Sequence, residues 1–235
     1  MNIKRLTAAA LFATAMTASG ASALTLKFDG WANGYKTVDV QTPALSNAAG
    51  AFKMKDTVTM DSLVVFCLDI LGKIYSNKTY NYAETATPFG NSVDLTANGG
   101  IGRIQKIFDS GYDTALTNNV TSAGFQVALW NAVYDNDWSV SNGDGSFFET
   151  SSNGGVRATA NAYLSAAQNY AGVQKWDLTY LEGYNNTNPD GSRAQNLVTA
   201  TAYLQPLASV PLPAGGLMLI GALGSLVAMR RRKTA

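Results

Sequence analysis

The chain has 235 residues with a formal net charge of +1, no histidine and one cysteine. Without histidine there is no Ser-His-Asp or Cys-His arrangement, no imidazole base and no His-containing zinc site, and one cysteine rules out a Cys₄ zinc site and an internal disulfide. Six of the seventeen basic residues (Lys4, Arg5, Arg230, Arg231, Arg232 and Lys233) sit at the two ends, so the body carries eleven basic against sixteen acidic residues and offers no basic stripe for nucleic acid.

In chain order, Lys4 and Arg5 precede the apolar run "LTAAALFATAMTA" and the small-residue site "ASA" at 21–23. That order predicts a secretory signal peptide over 1–23, cut after Ala23, because the apolar run is too short to span a bilayer. Short β-branched or aromatic runs then predict strands at 24–30, 34–42, 51–60 and 62–70, with a further strand at 78–85. Cys67 falls near the end of the most hydrophobic run, "SLVVFCLDI". By the period of two, Asp69 is expected on the same side of that strand as Cys67, with Phe66 on the opposite, core side.

The period then changes. "NGG" at 98–100 opens a helix rather than a nucleotide loop, since it lacks the lysine and spacing of a phosphate loop, and Ile101, Ile104 and Phe108 recur at helical spacing behind it. A second helix is expected over 121–135, where Phe125, Leu129 and Val133 share a face with Gln126 and Trp130 beside it, and a third over 154–172. Between them, Asp135, Asp137 and Asp144 miss the ordered ligands of an EF-hand loop and read as a solvated loop; no metal and no cofactor are expected. Strands return at 176–184 and 196–204, on either side of a turn-rich stretch. Strands, a helical insert and closing strands predict an α+β domain over 24–207.

The tail, 208–235, carries Val210, Pro211, Leu212, Pro213 and Ala214, then fifteen apolar residues and "RRRK". As a helix the apolar stretch would rise about 22 Å, a marginal span of a hydrocarbon core of about 30 Å. The basic end would stay cytoplasmic, leaving the rest of the chain outside. A Pro-containing motif, an apolar helix and an Arg-rich end resemble the C-terminal sorting signals of the PEP-CTERM class in its VPLPA form. The resemblance implies a Gram-negative bacterium, an exosortase-type protease as partner, an inner-membrane intermediate and release to the cell surface or extracellular matrix. A plain C-terminal anchor is the other reading of the same residues.

A cysteine sulfur attacks a carboxamide when the two are held together and the carbonyl is polarised. "FCLD" at 66–69, followed by "FQVALW" at 125–130, resembles the paired motifs of bacterial surface thioester domains. Phe66, Cys67, Leu68 and Asp69 match the first motif; Phe125, Gln126, Leu129 and Trp130 match the second, with Phe125 standing where many members have Thr. That family implies an antiparallel β-sandwich or barrel with an inserted helical subdomain, and an internal Cys67–Gln126 thioester that captures an amine or hydroxyl on a surface or matrix macromolecule. Capture is single-use and self-formed, not enzymatic turnover. Trp130, one helical turn beyond Gln126, is expected to shield the bond, and Asp69 either to move a proton or to hold a backbone group. The alternative is a passive structural protein of an extracellular polysaccharide matrix with an inert Cys67. A histidine-free hydrolase finds no spaced carboxylate pair to support it.

Overall fold

The computed structural model describes residues 23–204 except 86–88, 90–93, 97, 98, 144, 152–154, 185 and 186. The expected signal peptide and the whole VPLPA tail with its hydrophobic helix lie outside the described residues, apart from Ala23. Among the described residues, no helix is long and apolar enough to cross a membrane.

The architecture is α+β. Six antiparallel strands close a barrel: β1 (Ala23–Trp31), β4 (Phe52–Asp56), β5 (Ser62–Cys67), β9 (Leu197–Ala202), β8 (Trp176–Gly183) and β6 (Thr79–Thr85), in that spatial order. Closure removes the free edges that an open six-stranded sheet would expose. A second sheet orders β3 (Leu45–Ala49), β2 (Lys36–Gln41) and β7 (Phe148–Glu149). Between β6 and β8 the chain inserts three helices, α1 (Gly100–Ala115), α2 (Asn119–Tyr134) and α3 (Val156–Gln168).

Several expected boundaries move: the third helix ends at Gln168 rather than 172 and the last strand at Ala202 rather than 204, and two strand ends move for local reasons. The run 51–60 ends as a strand at Asp56, whose Oδ1 accepts the amides of Val58 and Thr59 and turns the chain. Residues 62–70 are strand only as far as Cys67, so Asp69 lies just beyond the strand. β3, unexpected from "LSNAA", forms because it pairs along its whole length with β2, from Lys36–Ala49 to Val40–Leu45.

α1 is amphipathic, burying Gly100, Ile104, Ile107, Phe108, Gly111 and Ala115 on one stripe. α2 differs, because every residue from Ser122 to Val133 is buried and the helix runs through the core with α1 and α3 packed on it. Its start is fixed by a reciprocal cap: Asn118 accepts the amides of Val120 and Thr121, and Thr121 Oγ1 accepts the Asn118 amide. Phe66, Phe108, Tyr112, Phe125 and Tyr163 form one aromatic cluster joining β5 to the three helices. Phe66 therefore faces the core, as expected.

Gly124 lets α3 approach α2 closely. A Cβ there would lie 2.6 Å from Thr159 Cγ2 and 3.1 Å from the Ala160 nitrogen. Gly124→Ala is expected to destabilise the fold by about 1–3 kcal/mol in urea unfolding, since the clash includes backbone that cannot rotate away. An unchanged midpoint would show that the two helices have slack.

The loop after α2 is not simply solvated. Asp135 is buried, and its Oδ2 accepts the amides of Ser146 and Phe147, which holds its pKa below the ordinary carboxylate value despite its burial. The Arg103 guanidinium donates to the Asp135 and Asp137 carbonyls and to Asn131 Oδ1, and packs over the Trp138 ring. Among the described residues no cluster of side chains could hold a metal ion.

Candidate functional site: Cys67 and the α2 face

α2 meets the rest of the fold through side chains spaced by four. Ser122 Oγ accepts the Ala51 amide at 2.8 Å, Gln126 engages Cys67, and the Tyr134 hydroxyl accepts the Ile70 amide at 3.1 Å. Trp130 stands between the last two. Positions four apart on a helix are neighbours, so this succession lays one polar seam along an otherwise apolar helix.

Gln126 docks on the backbone of Cys67 like a residue of an adjacent strand. The Cys67 amide donates to Gln126 Oε1 at 2.9 Å, and Gln126 Nε2 donates to the Cys67 carbonyl at 2.5 Å. The carboxamide is thus held with its carbonyl already polarised by an N–H from the residue that carries the thiol. Cys67, Asp69, Gln126 and Trp130 are each only 1% exposed.

The thiol of Cys67 donates to the Asp69 carbonyl at 3.0 Å. Burial pushes its pKa far above the ordinary cysteine value and the Asp69 charge pushes the same way, while the indole N–H of Trp130 favours the thiolate. Any chain with a free Cys67 is therefore expected to resist iodoacetamide at about pH 8 and to react once unfolded in guanidinium. Alkylation of the native protein at the unfolded rate would contradict this.

The Asp69 carboxylate holds the turn after β5. Its Oδ1 accepts the amides of Leu71 and Gly72 at 3.2 and 3.3 Å, and its Oδ2 lies 2.8 Å from Arg193 Nη1. Burial raises the pKa of Asp69, and Arg193 and these amides pull it back. The hydrogen bond from the sulfur to Asp69 is accepted by its main-chain oxygen. Of the two roles expected for Asp69, these contacts are those of backbone holding.

The four residues singled out from the sequence, Cys67, Asp69, Gln126 and Trp130, come together. Ser122, Tyr134 and Arg193 were not anticipated. The first two carried a usable signal, since they extend the four-residue spacing of Gln126 and Trp130, but Arg193 is 124 residues beyond Asp69 and no local pattern marks it. A surface cavity of about 420 Å³ reaches the same turn at Gly72 and is lined by Phe28, Trp31, Phe52, Lys73, Ile74 and Gln195 among others.

No protein family's sequence profile matches this chain, and no curated protein matches it. Among solved structures, the Bacillus anthracis TIE protein is similar over 77% of this chain at 10% identity, with a TM-score of 0.38. This chain spans 39% of the length of that protein.

Proposed function

We propose that this is an exported surface or extracellular-matrix protein in which Cys67 and Gln126 close an internal thioester, which then attaches the chain once to an amine or hydroxyl on a partner. The observation that carries the reading is the pairing of the Gln126 carboxamide with both backbone groups of Cys67 inside a buried site. In thioester formation the sulfur attacks the Gln126 side-chain carbonyl carbon, and oxyanion charge develops on Oε1, the atom that already accepts the Cys67 amide. The C–N bond breaks, the thiol proton leaves on nitrogen, and ammonia departs. Burial supports the product, because water that would hydrolyse the bond is excluded. In capture, a partner amine attacks the same carbon, an amide forms and Cys67 regains a thiol.

A second reading, a passive matrix protein with an inert Cys67, finds support in the thiol itself, which is buried, neutral and bonded to a carbonyl. Intact mass of the native protein separates the two. The thioester form lacks one ammonia relative to its sequence; full mass with a titratable thiol from the moment of export would leave the passive reading in its place.

The localisation belongs to the same proposal. We take the chain to be exported by its first 23 residues and sorted through Val210–Ala214 by an exosortase-type protease, passing through an inner-membrane intermediate. The same mass measurement reads both ends of the mature chain.

A further inference from the structure

We propose that the Trp130 indole N–H is the hydrogen-bond donor that receives the departing Cys67 sulfur during capture, so that Trp130 sets the rate of the reaction as well as covering the bond; this rests on the thioester reading above. Trp130 is fully buried, and its Nε1–H has no acceptor of ordinary geometry. A buried N–H without an acceptor is a standing cost to the fold, and such groups are uncommon. α2 places this one a single turn after Gln126, whose carboxamide pairs with the Cys67 backbone, and its N–H favours charge on the Cys67 sulfur. Neutral sulfur is a weak acceptor and does not draw the indole into a full hydrogen bond. A thiolate is a strong one.

The site is otherwise hostile to a sulfur anion. It is buried, and the Asp69 carboxylate stands two residues away, its charge only partly offset by Arg193. During capture the amine lone pair forms a bond to the Gln126 acyl carbon. The C–S bond breaks with its electron pair going to sulfur, and the proton lost by the amine nitrogen finally resides on that sulfur. The resulting thiol can donate to the Asp69 carbonyl, as it does in the structure. Charge on sulfur is greatest as the C–S bond breaks, so a donor left unsatisfied until that moment stabilises the transition state more than the resting thioester.

The experiment compares wild type with Trp130→Phe, which keeps an aromatic cover and removes only the donor. Intact mass first measures how much of each protein lacks ammonia, and methylamine is then added while the release of the Cys67 thiol is timed. The expected result, counted per ammonia-deficient chain, is a release about ten- to a hundredfold slower in Trp130→Phe. An ammonia-deficient Trp130→Phe that reacts as fast as wild type, or faster, overturns the donor role and leaves the thioester reading intact. A wild-type chain of full mass removes the leaving sulfur and overturns both. If Trp130→Phe does not fold, wild type made with ring-fluorinated tryptophan, whose indole N–H is a stronger donor, carries the test: thiol release per ammonia-deficient chain should be faster, and an unchanged or slower release overturns the proposal.

Discussion

Cys67→Ala and Gln126→Ala are each expected to abolish both the ammonia deficit of the native mass and all uptake of methylamine. The effect is complete because the bond needs both partners: without the sulfur there is no nucleophile, and without the carboxamide there is no acyl carbon. In the native protein methylamine should add at Gln126 and liberate one thiol at Cys67 in equal amounts, since aminolysis makes the two products in one step. An inert cysteine predicts only the mass change of each substitution, with no methylamine adduct in any of the three proteins. The two variants should differ in stability. Gln126→Ala withdraws hydrogen-bond partners from the buried Cys67 amide and carbonyl, a loss of about 1–3 kcal/mol, whereas Cys67→Ala keeps both backbone contacts and removes one weak thiol donor. Full sequence mass in both variants with unequal melting would therefore be the pattern to find.

Asp69→Ala is expected to cost about 2–4 kcal/mol and to prevent thioester closure, because it strips the carboxylate from the Leu71 and Gly72 amides and leaves the Arg193 guanidinium facing a buried void. Arg193 is partly exposed, which keeps the figure below that of a fully buried pair. A paired substitution separates holding from proton transfer. Asp69→Asn alone retains an oxygen for the turn but sets an NH₂ against Arg193. Asp69→Asn with Arg193→Gln removes that clash and leaves no ionisable group at either position. If the carboxylate only holds the turn, the double variant recovers most of the stability and still loses ammonia. If the carboxylate carries the proton from sulfur to the leaving nitrogen, the double variant folds and keeps its full mass.

The local elements were legible from the sequence where side-chain chemistry is strong. The runs around Phe28, Val38, Val65 and Tyr180 alternate or are β-branched and aromatic, and each is a strand of the structure. β3 was not legible, because Leu45, Ser46, Asn47, Ala48 and Ala49 have little strand preference and owe their conformation to β2 and to the bond from Asn47 to the Ile70 carbonyl. The spatial order of the barrel was not legible either: β5 lies against β9 through pairs such as Val65–Thr199, which only the folded chain brings together. The meeting of Cys67 and Gln126 was legible through two short motifs. The end of β5 was not legible, because the apolar run continues through Leu68 and Ile70 whereas the strand stops at Cys67.

The docking of Gln126 on Cys67 joins positions 59 residues apart, across a stretch that includes β6 and α1. A covalent bond there ties that stretch into a ring, and a ring has far fewer conformations when denatured than an open chain. For a loop of this size the loss of unfolded-state entropy alone favours the folded form by about 4 kcal/mol at room temperature. On the proposed function, capture would open the ring, since the acyl group would pass from Cys67 to the partner. On that function the joint between barrel and helices would be most resistant to unfolding before attachment, and would relax to ordinary noncovalent strength afterwards, when tension from outside would first reach α2 through Gln126.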